Sequence, residues 1–210
     1  MGLVLVPVDE TSDLGVVMSL AAKGVSESDK PRSLTLATED RTMWLKAVRD
    51  KASGDLWLYL YSDDESLIPK NAAVKPFGMD REFLTDTQGR INLGQVKWPE
   101  KEFLRAEVRL PRATFRLAEV GDIERTAGDA TLTSPEGDRL YVSWTGDERG
   151  RRITIEVQAL SGLSSQSPLQ IAVRARGVDQ PVQVRSSLLD LPVTVDHSGS
   201  LDQIEIFVYQ

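Results

Sequence analysis

Apolar and polar residues alternate with a period of two along most of this chain. Leu56, Leu58 and Leu60 alternate with Trp57, Tyr59 and Tyr61. Ile153, Ile155 and Val157 alternate with Thr154, Glu156 and Gln158, and Ile204, Ile206 and Val208 with Glu205, Phe207 and Tyr209. Such alternation sets one row of side chains against a core and turns the other row outward. Further strands are predicted at 34–37, 42–48, 72–77, 82–85, 104–110, 114–120, 140–144, 169–175, 182–185 and 192–195, and the opening run 1–6 reads as a strand. No window sustains a helical period; the best helix candidate, 15–23, is read as a strand. Turn residues separate the runs, as in Ser53-Gly54-Asp55, Thr87-Gln88-Gly89, Pro135-Glu136-Gly137-Asp138, Arg149-Gly150 and Ser198-Gly199-Ser200. There glycine supplies a positive φ, and Asp or Ser closes local hydrogen bonds. Strands at this spacing predict an all-β sandwich or barrel.

The strand pattern also repeats. The run 34–61 and the run 131–157 each read as a strand, an acidic turn, an aromatic-bearing strand, a glycine turn and a strictly alternating strand. Residues 73–81 then face 172–180, and 104–110 face 204–210, at an offset that drifts only from about 96 to about 100. Trp44 and Trp144 fall at similar places in this alignment and read as core residues. The repeat predicts two tandem antiparallel β-sandwich domains of Ig-like or transthyretin-like type, residues 1–111 and 112–210. The boundary at Leu110-Pro111-Arg112 leaves almost no linker, which would join the domains stiffly.

The first domain carries a more specific pattern. Its parts are the run 56–62, a loop ending at Pro69, the run 72–76, a segment 83–94 and a closing strand at 105–110. Within it Thr85, Asp86, Gly89 and Leu93 take the form Thr-Asp-x-x-Gly-x-x-x-Leu. On these residues, 55–110 resemble the transthyretin-like or carboxypeptidase-regulatory type of β-sandwich, close to the Cna-B repeats of bacterial surface proteins. The motif reads as a hairpin in which Asp86 caps the turn and Gly89 takes a positive φ. It carries no chemistry. The nearest echo in the second half, Asp196, Gly199 and Leu201, lies about ten residues later than the repeat places it. Some domains of this kind form an isopeptide bond, but no lysine here sits in a motif that nominates it.

Composition narrows function mainly by exclusion. Of 210 residues, 40% are hydrophobic and 27% charged, an ordinary globular balance. The net charge of -7 argues against nucleic-acid binding, which needs clustered cations. Arg174 and Arg176 share one strand face and, like Arg151-Arg152, read as a solvated surface. No apolar run approaches the roughly 20 residues that span a bilayer, so no membrane insertion is expected. The absence of cysteine removes thiolate and zinc-cysteine chemistry and leaves the compartment open, cell surface or cytoplasm. The single histidine, His197, reads as an exposed turn residue beside Asp196 and Ser198. Asp63-Asp64-Glu65 reads as a solvated acidic loop, since consecutive acids rarely surround one calcium ion. No phosphate-binding glycine loop occurs. These residue types point away from an enzyme and call for no cofactor.

Trp57, Tyr59 and Tyr61 form the one candidate ligand-binding set, a stripe along one face of one strand. Left open, it would stack on sugar rings or anchor a protein; the simpler expectation is that N-terminal strands or the other domain cover it. The leading functional reading is a non-catalytic interaction or spacer module with a protein partner, part of a larger bacterial protein or assembly. A carbohydrate-binding module using the stripe is the alternative. An intracellular regulatory or sensory domain with a protein ligand is the third reading.

Overall fold

The computed structural model describes residues 2–8, 33–64, 69–99, 104–121, 125–161, 169–175 and 192–210, and the strand backbone at 183–187. The strand expected at 15–23, Glu65 of the acidic run, and Arg176 lie outside the described residues. The chain is all-β. Its described elements are strands and two single 3-10 turns, Leu117–Glu119 and Leu201–Gln203, and every strand pairing is antiparallel. The chain divides into two compact units, Met1–Leu110 and Pro111–Gln210.

Unit 1 holds β1 (Leu3–Pro7), β2 (Ser33–Ala37), β3 (Met43–Arg49), β4 (Leu56–Ser62), β5 (Ala73–Pro76), β6 (Phe83–Leu84), β7 (Arg90–Asn92) and β8 (Ala106–Arg109). One layer runs β2-β3-β4-β7 and the other β6-β5-β8-β1. β1 stitches them together: Leu3 to Leu5 pair with β8, while Val6 and Pro7 pair with Ala37 and Leu36 of β2. Leu5, Leu36, Leu45, Leu56, Leu58, Val74 and Val108 fill the space between the layers. Each such side chain contributes about 1.5–3 kcal/mol through burial.

Unit 2 holds β9 (Ala113–Arg116), β10 (Ala127–Thr133), β11 (Arg139–Asp147), β12 (Gly150–Ala159), β13 (Leu169–Ala175), β14 (Gln183–Ser187), β15 (Val193–His197) and β16 (Ile204–Tyr209). Its layers run β10-β11-β12-β15 and β14-β13-β16-β9. Strand for strand, this is the pairing order of unit 1. Its core packs Leu140, Val142, Trp144, Ile153 and Ile155 of one layer against Phe115, Ile171, Ile204 and Ile206 of the other. The difference is at the seam. β9 does not pair with β10, so the two layers remain separate sheets.

Several expectations are corrected. The strand expected over 114–120 ends at Arg116, where Leu117, fully buried, folds the chain into a 3-10 turn. The motif Thr85–Leu93 is not a hairpin, because β6 pairs with β5 in one layer and β7 with β4 in the other. It is a turn between layers. There Asp86 accepts the N–H groups of Gln88 and Arg90, and Gly89 sits at φ 74°. Burial alone pushes the Asp86 carboxyl up, but those N–H groups and the Arg90 guanidinium hold it below its ordinary 3.8. At the β11–β12 hairpin the positive φ belongs to the strand residue Gly146, at 110°, and not to Gly150. Phe207 and Tyr209, expected outward, are fully buried. β16 lies between β13 and β9, and the Arg174 guanidinium covers the Phe207 ring at 5.0 Å while pairing with Glu205. Arg174 is therefore largely covered, not solvated. Arg151 is buried at 4% exposure while its neighbour Arg152 is exposed, because adjacent strand residues face opposite ways.

Candidate functional site

The outer face of the β2-β3-β4-β7 layer carries the aromatic side chains. Leu56, Leu58 and Leu60 are 3% exposed or less, so their neighbours on β4 point away from the core. Tyr59 and Tyr61 are exposed at 38% and 41%, and Trp57 is half-buried. Among the described residues of unit 1, nothing covers either tyrosine.

Register brings further residues onto this face. Trp44 lies opposite Tyr61, Lys46 opposite Tyr59, and Val48 opposite Trp57. On the other side of β4, Arg90 lies opposite Tyr59 and Asn92 opposite Trp57. Trp44 stacks on Tyr61 with ring centroids 6.4 Å apart and planes 6° from parallel. Trp57 and Tyr59 sit 6.5 Å apart at 29°. Four aromatic rings thus line one face, with Tyr59 between two cationic residues. Arg90 pairs with Asp86 at 2.9 Å, and Asn92 donates to Asp55 at 3.2 Å. Burial, and then the Asp63 carboxylate, raise the Tyr61 pKa above its ordinary 10.0, so its phenol stays neutral and keeps its O–H donor.

Trp44 was missed as a member of this face. It is buried at 4%, yet it lies opposite the core row Met43, Leu45 and Ala47. Its parity with Tyr61 across the β3–β4 turn was the signal for it. Trp144 does lie in the core, with its indole N–H donating to the Arg125 carbonyl at 3.2 Å.

The equivalent face of unit 2 is different. Leu45 pairs with Leu60, and Leu140 with Val157, so β4 maps onto β12 with Leu58 matching Ile155. The positions of Trp57, Tyr59 and Tyr61 are then Thr154, Glu156 and Gln158. Those three positions carry no aromatic residue, and the one tyrosine on this face, Tyr141, stands opposite Glu156 where unit 1 has Lys46 opposite Tyr59.

The remaining candidates do not assemble chemistry. His197 is the last residue of β15, only part-exposed, with a buried Nε2 that has no hydrogen-bond partner among the described residues. This corrects the exposed turn histidine. Asp196 projects from the opposite side of the strand and pairs with Arg152 at 3.2 Å, so it does not orient the imidazole. Among the described residues, no three acidic or histidine side chains gather in a metal-binding group, and no helix is long and apolar enough to cross a membrane. No protein-family model matches the chain, and no curated protein matches it.

Proposed function

We propose that the chain is a non-catalytic interaction module whose outer β4 face engages a protein partner. One observation carries this reading. Tyr59 and Tyr61 stand exposed on a face that the equivalent layer of unit 2 builds from Thr154, Glu156 and Gln158. The fold does not need aromatic residues at those positions, so their presence asks for a role outside folding. Tyrosine and tryptophan bring large rigid contact area with a polar edge, the residue types that dominate binding energy at interfaces. The matching strand order of the two units supports a spacer role alongside binding, since unit 2 has no aromatic residue at the positions of Trp57, Tyr59 and Tyr61. A place in a larger bacterial protein rests on the Cna-B resemblance of residues 55–110, and an intracellular regulatory domain would use the same face.

A photo-crosslinking amino acid at position 59 tests the reading, with position 156 as the matched control. A discrete protein adduct from 59 and none from 156, in cells that carry the native chain, is the expected result. Equal labelling from both positions overturns it, as does robust hydrolase turnover by the purified chain.

The Trp57–Tyr59 platform, flanked by Asn92 and Arg90, favours a carbohydrate as the second reading. Tryptophan emission that shifts with one glycan across a panel, and not after Tyr59→Ala, would select it.

A further inference from the structure

The seam between β9 and β10 differs from its counterpart in unit 1, and the difference is local. In unit 1, β1 continues past its contact with β8, so that Val6 pairs with Ala37 and the Val8 N–H donates to the Thr35 carbonyl at 3.2 Å. Leu5 pairs with Ala106 of β8, and Phe115 with Ile206 of β16, so Leu5 and Phe115 are equivalent core residues. The residues after Phe115 would then be the ones to close the seam. Instead Leu117–Glu119 turn away as a 3-10 turn, and the layers stay unzipped.

The β10 side of the seam keeps its backbone groups directed at the gap. The Gly146 N–H donates to the Thr126 carbonyl at 2.7 Å, and Gly128 and Trp144 are register partners. Hydrogen-bonded pairs alternate along an antiparallel ladder. Gly128, Ala130 and Leu132 therefore turn their N–H and C=O groups to β11, while Asp129, Thr131 and Thr133 turn theirs to the open edge. Their unit 1 equivalents, Thr35 and Ala37 at the last two of these positions, are the residues that β1 pairs with. Among the described residues β10 has no second neighbour. A groove of about 580 Å³ opens at the Thr133 end of this gap, lined by Phe115, Leu132 and Thr133. On its rim, Arg112 is committed to Asp138 and Arg116 to Glu205. Glu119 and Glu136 form no ion pair among the described residues, so the uncompensated rim charge is negative.

We propose that the β9–β10 seam of unit 2 is an acceptor groove for one extended segment of a partner protein, which adds as a strand to β10. Unit 1 shows what fills such a seam in this chain, an apolar strand. The carboxylates of Glu119 and Glu136 call for basic residues at the ends of the segment. Main-chain hydrogen bonds to Asp129, Thr131 and Thr133 would hold it, with alternate apolar side chains reaching Phe115 and Leu132. This site is separate from the aromatic face and does not depend on it.

The test uses the full chain and a synthetic seven-residue peptide of alternating valine and threonine with a lysine at each end. Amide hydrogen exchange is followed residue by residue. The expected result is at least tenfold slower exchange at Asp129, Thr131 and Thr133, with no change at Ala37, whose outward groups already pair with Val6. Thr133→Pro removes a groove-facing donor without touching the β10–β11 ladder and should weaken the peptide at least tenfold at unchanged Tm. Methylating alternate amides of the peptide tests the same hydrogen bonds with the protein untouched, and should abolish protection. Replacing the terminal lysines by glutamates should weaken binding as well. No protection at millimolar peptide overturns the proposal, and so does a methylated peptide that binds as well as the parent. Protection of the same amides that grows with protein concentration alone would assign the edge to a second copy of this chain and overturn it too.

Discussion

Thr38 and Ser134 make the same hydrogen bond at the mouth of equivalent hairpins. Thr38 Oγ1 accepts the Met43 N–H at 3.2 Å, and Ser134 Oγ accepts the Asp138 N–H at 3.2 Å. In each case the residue's own N–H donates to the carbonyl of that same partner, at 3.0 and 2.8 Å. Both residues are buried, at 6% and 5% exposure. A β-hydroxyl there takes up an N–H at the point where the ladder stops. Thr38→Val and Ser134→Ala should each leave a buried N–H without an acceptor, costing about 1–3 kcal/mol. Urea unfolding read separately for each unit checks this, and Thr131→Val, an exposed threonine, should be nearly silent.

The two faces of β4 should respond to substitution in opposite ways. Leu58 is fully buried, so Leu58→Ala should destabilise unit 1 by about 2–5 kcal/mol. Tyr59 and Tyr61 are exposed, and truncating either to alanine should cost no more than about 1 kcal/mol, the range of a surface aromatic pair. Chemical denaturation distinguishes the outcomes. A large loss at Tyr59 would mean that its ring serves the fold and would remove the main support for a binding face.

Glycine is required more strongly at position 89 than at 94, although their φ angles of 74° and 72° are nearly equal. A Cβ at Gly89 would lie 2.4 Å from the Leu60 carbonyl oxygen, on the strand to which Gly89 is itself hydrogen-bonded. A Cβ at Gly94 meets nothing within 4 Å. Gly94→Ala should therefore cost about 1–2 kcal/mol from the left-handed backbone alone. Gly89→Ala adds a clash with backbone that cannot swing aside, and its Tm should fall further than that of the Gly94 variant.

Period-two alternation made the strands legible. Alternation specifies a face only relative to a register, however, and register is where sequence reasoning slipped. The β10–β11 turn is one residue shorter than the β2–β3 turn, as Thr38 to Met43 against Ser134 to Asp138 shows. Leu45 consequently matches Leu140, and Trp44 matches Arg139 and not Trp144. A one-residue shift moves a side chain to the other face of its sheet. Phe207 and Tyr209 were misplaced for a related reason. Alternation presumes one wet face, and on β16 the Arg174 guanidinium covers the Phe207 ring. Of the candidate site, the stripe on β4 was readable because it lies on one strand. Trp44, Lys46 and Arg90 join it only through pairing across strands.

The environment of His197 makes the stability of unit 2 depend on pH in a definite direction. Its Nε2 is buried without a hydrogen-bond partner among the described residues, and its strand partner is the buried Arg151. Burial first, and then the Arg151 guanidinium, hold the imidazole below its ordinary 6.5, with the Ser200 backbone opposing them in part. The folded state thus binds the His197 proton less readily than the unfolded chain does. Its contribution is fully present above pH 6.5 and is lost as pH falls from there through the lowered folded value. The urea midpoint of unit 2 should decline between pH 7.5 and the folded pKa of His197, and His197→Asn should flatten that decline. The carboxylates of unit 1 with a lowered pKa respond at lower pH. Asp40, held down by the Thr38 hydroxyl, and Asp50, held down by the Ser53 N–H, lose their contributions only as pH falls below about 3.8. A wild-type midpoint that stays level through this range would show that His197 protonates as readily in the fold as outside it. Arg151 would then have to move away from the ring when it does.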